Sequence, residues 1–259
     1  QEGDEDEPLF NNGTVRLIPP IKAAWDATVE FGLLGASYDF DEGGVQLPDI
    51  ICKVAGGLIQ AANSGSSGYY FVTNAASNLI RTFGSEQQKS QFLRPMIDGR
   101  STGTMALTEP HQGSTLADIT TLARLQDDNS YLIRGQKIYI SNGDHDLSEN
   151  IVHLVLARIE GAPSGTRGIS LFIVPKFLVN ADGTTGARND VALAGLLHKM
   201  GNKSATSTVL SFGENEGATG YLVGEPNHGL RYMFQMMNDL RIGVGLGASA
   251  LAYRGFLES

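Results

Sequence analysis

Hydrophobic positions in this chain follow two periods, and the changeover falls near residue 100. Before it, apolar residues recur at helical spacing. After Pro19 and Pro20 come Ile21, Trp25 and Val29 at i, i+4 and i+8, one stripe on one helix face. Pro48 opens a second helix whose Ile51, Ala55, Leu58 and Ile59 are expected to face one way. Residues 64–68, Ser-Gly-Ser-Ser-Gly, read as a small-residue break before a third apolar segment at 69–83. Ser85 with Gln88 three residues on is a capping-box pattern and predicts a fourth helix over 86–97, closed by the turn pair Asp98-Gly99.

From Thr102 the period is two. Strands are predicted over 104–108, 120–125, 131–134, 137–141, 151–159, 169–174, 206–212 and 220–223, with polar turns at 127–130 and at Asn142-Gly143. That many short strands at close spacing predict a compact β-barrel or sandwich. Residues 179–191 are polar and Gly-rich and read as a surface excursion. Helical spacing returns over 230–257, with Met233, Met237, Leu240 and Val244 on one stripe. The fold class is therefore α+β: helices over 1–101, a β middle domain over 102–226, and a helix over 227–259. The last helix's stripe needs a packing partner, expected outside these residues or on another chain.

Composition narrows the function classes. The 259 residues carry a net charge of -9, which excludes nucleic acid as a main partner because phosphate binding needs a basic surface. Cys52, the one cysteine, forms no internal disulfide and sits in an apolar run as a buried filler. No apolar stretch reaches the ~20 residues of a membrane span, no signal-peptide pattern is read in these residues, and a cytoplasmic location without membrane association is expected. The acidic head at residues 2–7 reads as a solvated end, and the triplets starting at Asn12 and Asn202 as chance matches to a glycosylation site. His145, Asp146 and Glu149 lack metal-ligand spacing and predict a hydrogen-bonded loop, so no metal is expected. The Gly-rich run at 243–248 lacks a preceding strand and reads as close helix packing rather than a dinucleotide loop.

Two segments carry the chemistry. Thr104-Met105-Ala106-Leu107-Thr108-Glu109-Pro110, with Gln112-Gly113-Ser114, precedes Lys137-Ile138-Tyr139-Ile140-Ser141-Asn142-Gly143 by one hairpin. The pair resembles the two flavin-binding segments of acyl-CoA dehydrogenases. Phe83 to Lys89, His198-Lys199-Met200-Gly201 (similar to a family strand) and Val223-Gly224-Glu225-Pro226 with Gly229 extend the resemblance over essentially the whole chain. Residues 143–146, 149–158 and 168–172 are similar to the branch that includes 3-methylmercaptopropionyl-CoA dehydrogenase-like enzymes.

The resemblance implies an FAD-dependent enzyme that removes an α proton and a β hydride from an acyl-CoA thioester and passes electrons to an electron-transfer flavoprotein or similar acceptor. It implies cofactor contacts from Met105, Leu107, Thr108, Gly113, Ser114, Tyr139 and Ser141, with Ser141 near flavin N5 and the Tyr139 ring over the flavin. Ser114, Asn238 and Arg241 are the implied substrate-side residues. It also implies a homodimer or homotetramer, a partial N-terminal helical domain, and only the start of a C-terminal one. The family's catalytic glutamate has no counterpart here: its alternative position, before Arg241, is Leu240, and Asp239 is turned ~100° away on a helix. No catalytic residue is assigned on this chain. Two other readings stand beside this one: a catalytically inactive flavin-binding or scaffolding remnant, and an acyl-CoA oxidase. Acyl preference is left open.

Overall fold

A computed structural model describes residues 2–11, 13–180 and 182–259; Asn12 of the first glycosylation triplet lies outside them. The acidic head is not a free tail. Glu2–Glu5 forms a helical turn, α1. Asp4 accepts the Lys203 amide at 2.7 Å, and Glu7 meets Lys203 and His198 at 2.9 Å each. Opposite charges some 200 residues apart tie it down, which a local reading could not anticipate. A hairpin of β1 (Leu9–Asn11) and β2 (Thr14–Arg16) follows.

Helix α2 (Pro19–Glu30) buries Ile21 and Trp25 against Tyr69, Tyr70 and Leu147, as its stripe predicts. Helices α3 (Asp49–Ala62) and α4 (Ser64–Phe83) differ from expectation in two ways. The break between them is the single residue Asn63, whose Oδ1 caps α4 by accepting the Ser66 amide at 3.0 Å. Residues 64–68 are helical, with the Ser67 hydroxyl donating to the Ser64 carbonyl at 2.8 Å. The apolar stripe of α3 faces outward: Ile51 and Leu58 are exposed, while Cys52, Gly56 and Gly57 are buried. Small residues win the inner face because they let neighbouring helices approach closely. The segment over 86–97 is continuous: α5 (Glu86–Gln88) with the reciprocal Ser85/Gln88 cap, a π turn over 89–93, and α6 (Arg94–Ile97).

The β domain comprises β3 (Ser101–Ala106), β4 (Leu122–Leu125), β5 (Tyr131–Ser141), β6 (Asn150–Ile159), β7 (Ile169–Pro175), β8 (Phe177–Val179), β9 (Thr185–Arg188), β10 (Val191–Leu196), β11 (Ser207–Phe212) and β12 (Ala218–Leu222). Residues 131–134 and 137–141 are one strand, β5, because Gly135 and Gln136 interrupt the apolar alternation without interrupting the ladder. The excursion over 179–191 holds a β8–β9 hairpin and leads into β10, which pairs with β11. The path β5-β12-β7-β6 closes on itself because β4 pairs with both β6 and β5, which settles barrel over sandwich. Above β4, β3 takes the same edge of β6 in parallel, and β11 and β10 continue from the second half of β5.

Strand alternation sorts the core. On β6 and β7, Val155, Ala157, Phe172 and Val174 fill the barrel. Val152, Leu154, Leu156, Leu171 and Ile173 face α4 and the final helix, α7 (Gly229–Glu258). Gly103 lets β3 lie on α4, since a Cβ there would collide with the Ala76 and Met96 side chains. On α7 the predicted stripe begins buried at Met233 and ends exposed at Val244; the buried positions there are Gly243 and Gly247, the close packing expected of that Gly-rich run.

Candidate flavin-facing site

The segment after β3 is held against β5 by a buried ion pair. Lys137, fully buried on β5, places its Nζ 3.0 Å from both the Leu107 carbonyl and Glu109 Oε1. Glu109 also accepts the amides and hydroxyls of Thr120 and Thr121 at 2.5–2.9 Å. Burial pushes its carboxyl up, but the Lys137 ammonium and these donors outweigh that and hold it at about 2. Burial pulls the Lys137 ammonium below its usual range, with Glu109 opposing. With every partner in hydrogen-bond reach, the pair is ionised at neutral pH. The Ile138 amide donates to the Thr108 carbonyl at 2.9 Å, so residues 107–109 are fixed at three successive points. Glu109 and Lys137 both stand in the recognised motifs, yet sequence reasoning gave them no role. Their opposite signs within the two motif segments were the available signal.

Beyond the clamp, β5 bulges. The register against β11 shifts between Thr208 and Leu210, and Tyr139 takes φ 59°. A non-glycine residue in the left-handed region is strained and needs its surroundings to hold it there. The result is a Tyr139 ring that is 66% exposed, with Ser141 exposed two residues on. Thr108 and Met105 are half-buried, and Leu107 is buried. No side-chain hydrogen bond is made by Thr108, Tyr139 or Ser141 among the described residues, leaving three free hydroxyls around one clamped strand pair. Gly113 and Ser114 lie on the exposed loop, and a Cβ at Gly113 would meet nothing within 4 Å.

Ser141 and Asn142 form one wall of a cavity of about 410 Å³, with Ser67, Gly68 and Phe71 of α4 and Leu240, Gly243 and Val244 of α7 around it. Asn142 is buried at φ 58°, and neither polar atom of its amide has a partner. Sequence reasoning missed it because it read as a turn residue. No Asp or Glu lines this cavity among the described residues. Asp239 is directed elsewhere, accepting from Asn78 Nδ2 at 2.8 Å. Asn238 and Arg241, expected on the substrate side, bond each other at 3.1 Å, are exposed, and do not line the cavity. Lys199 donates to the Asn202 and Ala205 carbonyls from a loop after β10, not from a strand. The 145–149 loop is hydrogen-bonded as expected: His145 Nε2 pairs with Thr102 Oγ1 at 2.9 Å, and its Nδ1 accepts the Leu147 amide. No metal-holding cluster occurs among the described residues.

The acyl-CoA dehydrogenase N-terminal domain matches residues 14–100, and the acyl-CoA dehydrogenase middle domain matches residues 104–214. The chain is 42% identical over 254 residues to a 3-methylmercaptopropionyl-CoA dehydrogenase of Ruegeria pomeroyi, covering 98% of this chain and 43% of that protein. It is 36% identical over 269 residues to a broad-specificity linear acyl-CoA dehydrogenase of Mycobacterium tuberculosis, covering 100% of this chain and again 43% of the relative. An acyl-CoA dehydrogenase complexed with FAD from Bacillus anthracis superposes with a TM-score of 0.74 at 27% identity, over 90% of this chain and 38% of that one. The chain thus spans less than half the length of these relatives. No helix among the described residues is long and apolar enough to cross a membrane. With the two matched domains in order along the chain, and a relative 42% identical over 98% of it, the chain belongs to the acyl-CoA dehydrogenase family.

Proposed function

We propose that these residues form the FAD-facing and acyl-facing wall of an enzyme that dehydrogenates an acyl-CoA thioester between its α and β carbons. The observation that carries this reading is the set of partnerless hydroxyls of Thr108, Tyr139 and Ser141 on the clamped strand pair, with Ser141 in the wall of a cavity next to the orphaned Asn142 amide. Polar groups left open on a rigid, clamped strand pair fit an isoalloxazine, which needs short donors at fixed positions. FAD supplies the acceptor for the β hydride. The chain's own part is placement: Leu107 and Thr108 toward the pyrimidine edge, Tyr139 over the ring system, Ser141 toward N5, with Met105 packing beside them. Gly113 and Ser114 are open to the CoA portion. Asn238 and Arg241 are proposed to meet substrate only through a side-chain rearrangement, since they now bond each other.

The base that takes the α proton is proposed to come from outside these residues, because no carboxylate lines the Ser141 cavity. An electron-transfer flavoprotein is the proposed acceptor. Titration of FAD into the natural full-length apoprotein, followed by flavin fluorescence, tests the reading. Thr108→Ala and Tyr139→Ala are each expected to weaken FAD by about tenfold, the worth of a hydrogen bond or stacking contact to a bound ring. Unchanged affinity in both would overturn the assignment.

A further inference from the structure

A second cavity, of about 220 Å³, lies beyond the Ser141 cavity, and the two share Phe71. Along α4 the first is lined by Ser64, Ser67, Gly68 and Phe71, and the second by Phe71, Asn74, Ala75 and Asn78. Those positions follow one another at helical spacing on one face, so the two spaces run end to end with the Phe71 ring between them. The ring is wedged in a slot that only glycines leave open. A Cβ at Gly56 of α3 would lie 2.9 Å from Phe71 Cζ, and one at Gly243 of α7 3.2 Å from its Cδ1. Tyr70 braces it edge-on at 5.0 Å. The far space is polar, with Asn74, Asn78, Lys53 and Asp239 among its walls.

We propose that Phe71 is the specificity-determining residue that ends the acyl pocket, so that the site takes short acyl groups and excludes long ones. This rests on the acyl-CoA reading above. From Gly68, which lies beside Asn142, to Phe71 is about 4.5 Å of helix rise, and from Gly68 to Asn78 about 15 Å. An extended chain advances about 1.2 Å per bond, so a chain running along α4 from Gly68 meets the Phe71 ring after about four carbons. With the ring removed the length rises about threefold, though a hydrocarbon tail would then enter a polar chamber.

The test uses the natural full-length holoprotein and calorimetric binding of unreactive S-butyl-, S-octyl- and S-dodecyl-CoA thioethers. Wild type is expected to bind S-butyl-CoA at least about tenfold more tightly than S-dodecyl-CoA. Phe71→Ala is expected to erase most of that preference, with the largest gain for S-octyl-CoA. Phe71→Leu, which keeps most of the volume, is expected to fall between them and decides the matter should the alanine variant not fold. Equal binding of short and long thioethers by wild type, or an unchanged preference in variants that still bind, would overturn Phe71 as the stop. If no thioether binds wild type at all, the acyl-CoA reading itself fails, and the stop fails with it.

Discussion

Strand β6 and helix α3 are both apolar segments, yet they treat water in opposite ways. On β6 every residue from Asn150 to Ala157 is buried. On α3 only Cys52, Gly56 and Gly57 are, while Ile50, Ile51, Val54 and Leu58 stand 50–69% exposed. The difference lies in the layers around each. β6 has the barrel interior on one side and α4 with α7 on the other, and paired strands on both edges. α3 meets its neighbours through small residues and keeps its hydrocarbon outside. Exposed Ile242, Val244, Phe256 and Leu257 of α7 extend the same character. Apolar content thus does not decide burial; the number of covered faces does. The barrel is complete in itself, and contiguous exposed hydrocarbon on the helices is the kind of surface that packs on something else.

If the barrel carries the stability, its buried ion pair is the place to break it. Lys137→Met leaves Glu109 buried with no cation and is expected to cost about 3–5 kcal/mol in urea unfolding. Adding Glu109→Gln is expected to recover part of that loss, since the stranded charge is gone. A loss under about 1 kcal/mol for the single variant would show that the clamp is dispensable. Next in size, Leu171→Ala on β7 removes a fully buried side chain touching the helical layer and is expected to cost about 2–5 kcal/mol.

The barrel was also the more legible region. β6 and β7 stand out as apolar runs interrupted only by His153 over 151–157 and by Ser170 over 169–174, and the two motif segments identified the chain that carries Thr108, Tyr139 and Ser141. Continuity of β5 was hidden by Gly135-Gln136, and β10 by its Ala and Gly content, because ladder bonds are made by backbone that side-chain patterns do not report. The Glu109–Lys137 clamp spans 28 residues, so no local period encodes it. On α7 the cavity is lined by Leu240, Gly243, Val244, Gly247, Ala248 and Leu251; at ~100° per residue Asn238 falls well away from that face and Arg241 at its edge, so the family resemblance named them without placing them. For α3, periodicity found the stripe but not its direction, since a stripe states what is apolar and not what covers it.

The comparison is sharpened by acid. His153 and His145 are buried, bonded to Thr104 Oγ1 at 2.8 Å and Thr102 Oγ1 at 2.9 Å, and burial lowers each to about 3. Their stability contribution is full above the unfolded value near 6.5, and is lost as pH falls toward 3, because the unfolded chain takes up protons that the fold refuses. Between pH 6.5 and 4.5, before Glu109 begins to matter, unfolding free energy is expected to fall by about 1.4 kcal/mol per pH unit for each histidine. His153→Gln should halve that slope. A slope that stays the same would mean that the ring is protonated in the fold.

The smallest effect is expected on the other side of the comparison. Leu58→Glu on α3 replaces a side chain that is 69% exposed, so little burial is lost, and Glu is nearly as good a helix former as Leu. The unfolding free energy should move by no more than about 0.5 kcal/mol. What should change is association: a charge in the middle of exposed Ile51, Val54 and Leu58 makes that face costly to cover. Sedimentation of the natural full-length polypeptide with and without the substitution reads this directly. An unchanged stability with a smaller assembly would mean that α3 carries its apolar stripe for contact. A stability loss comparable to that of Leu171→Ala would mean instead that α3 belongs to the core after all, and that the division between self-contained barrel and contact-forming helices is wrong.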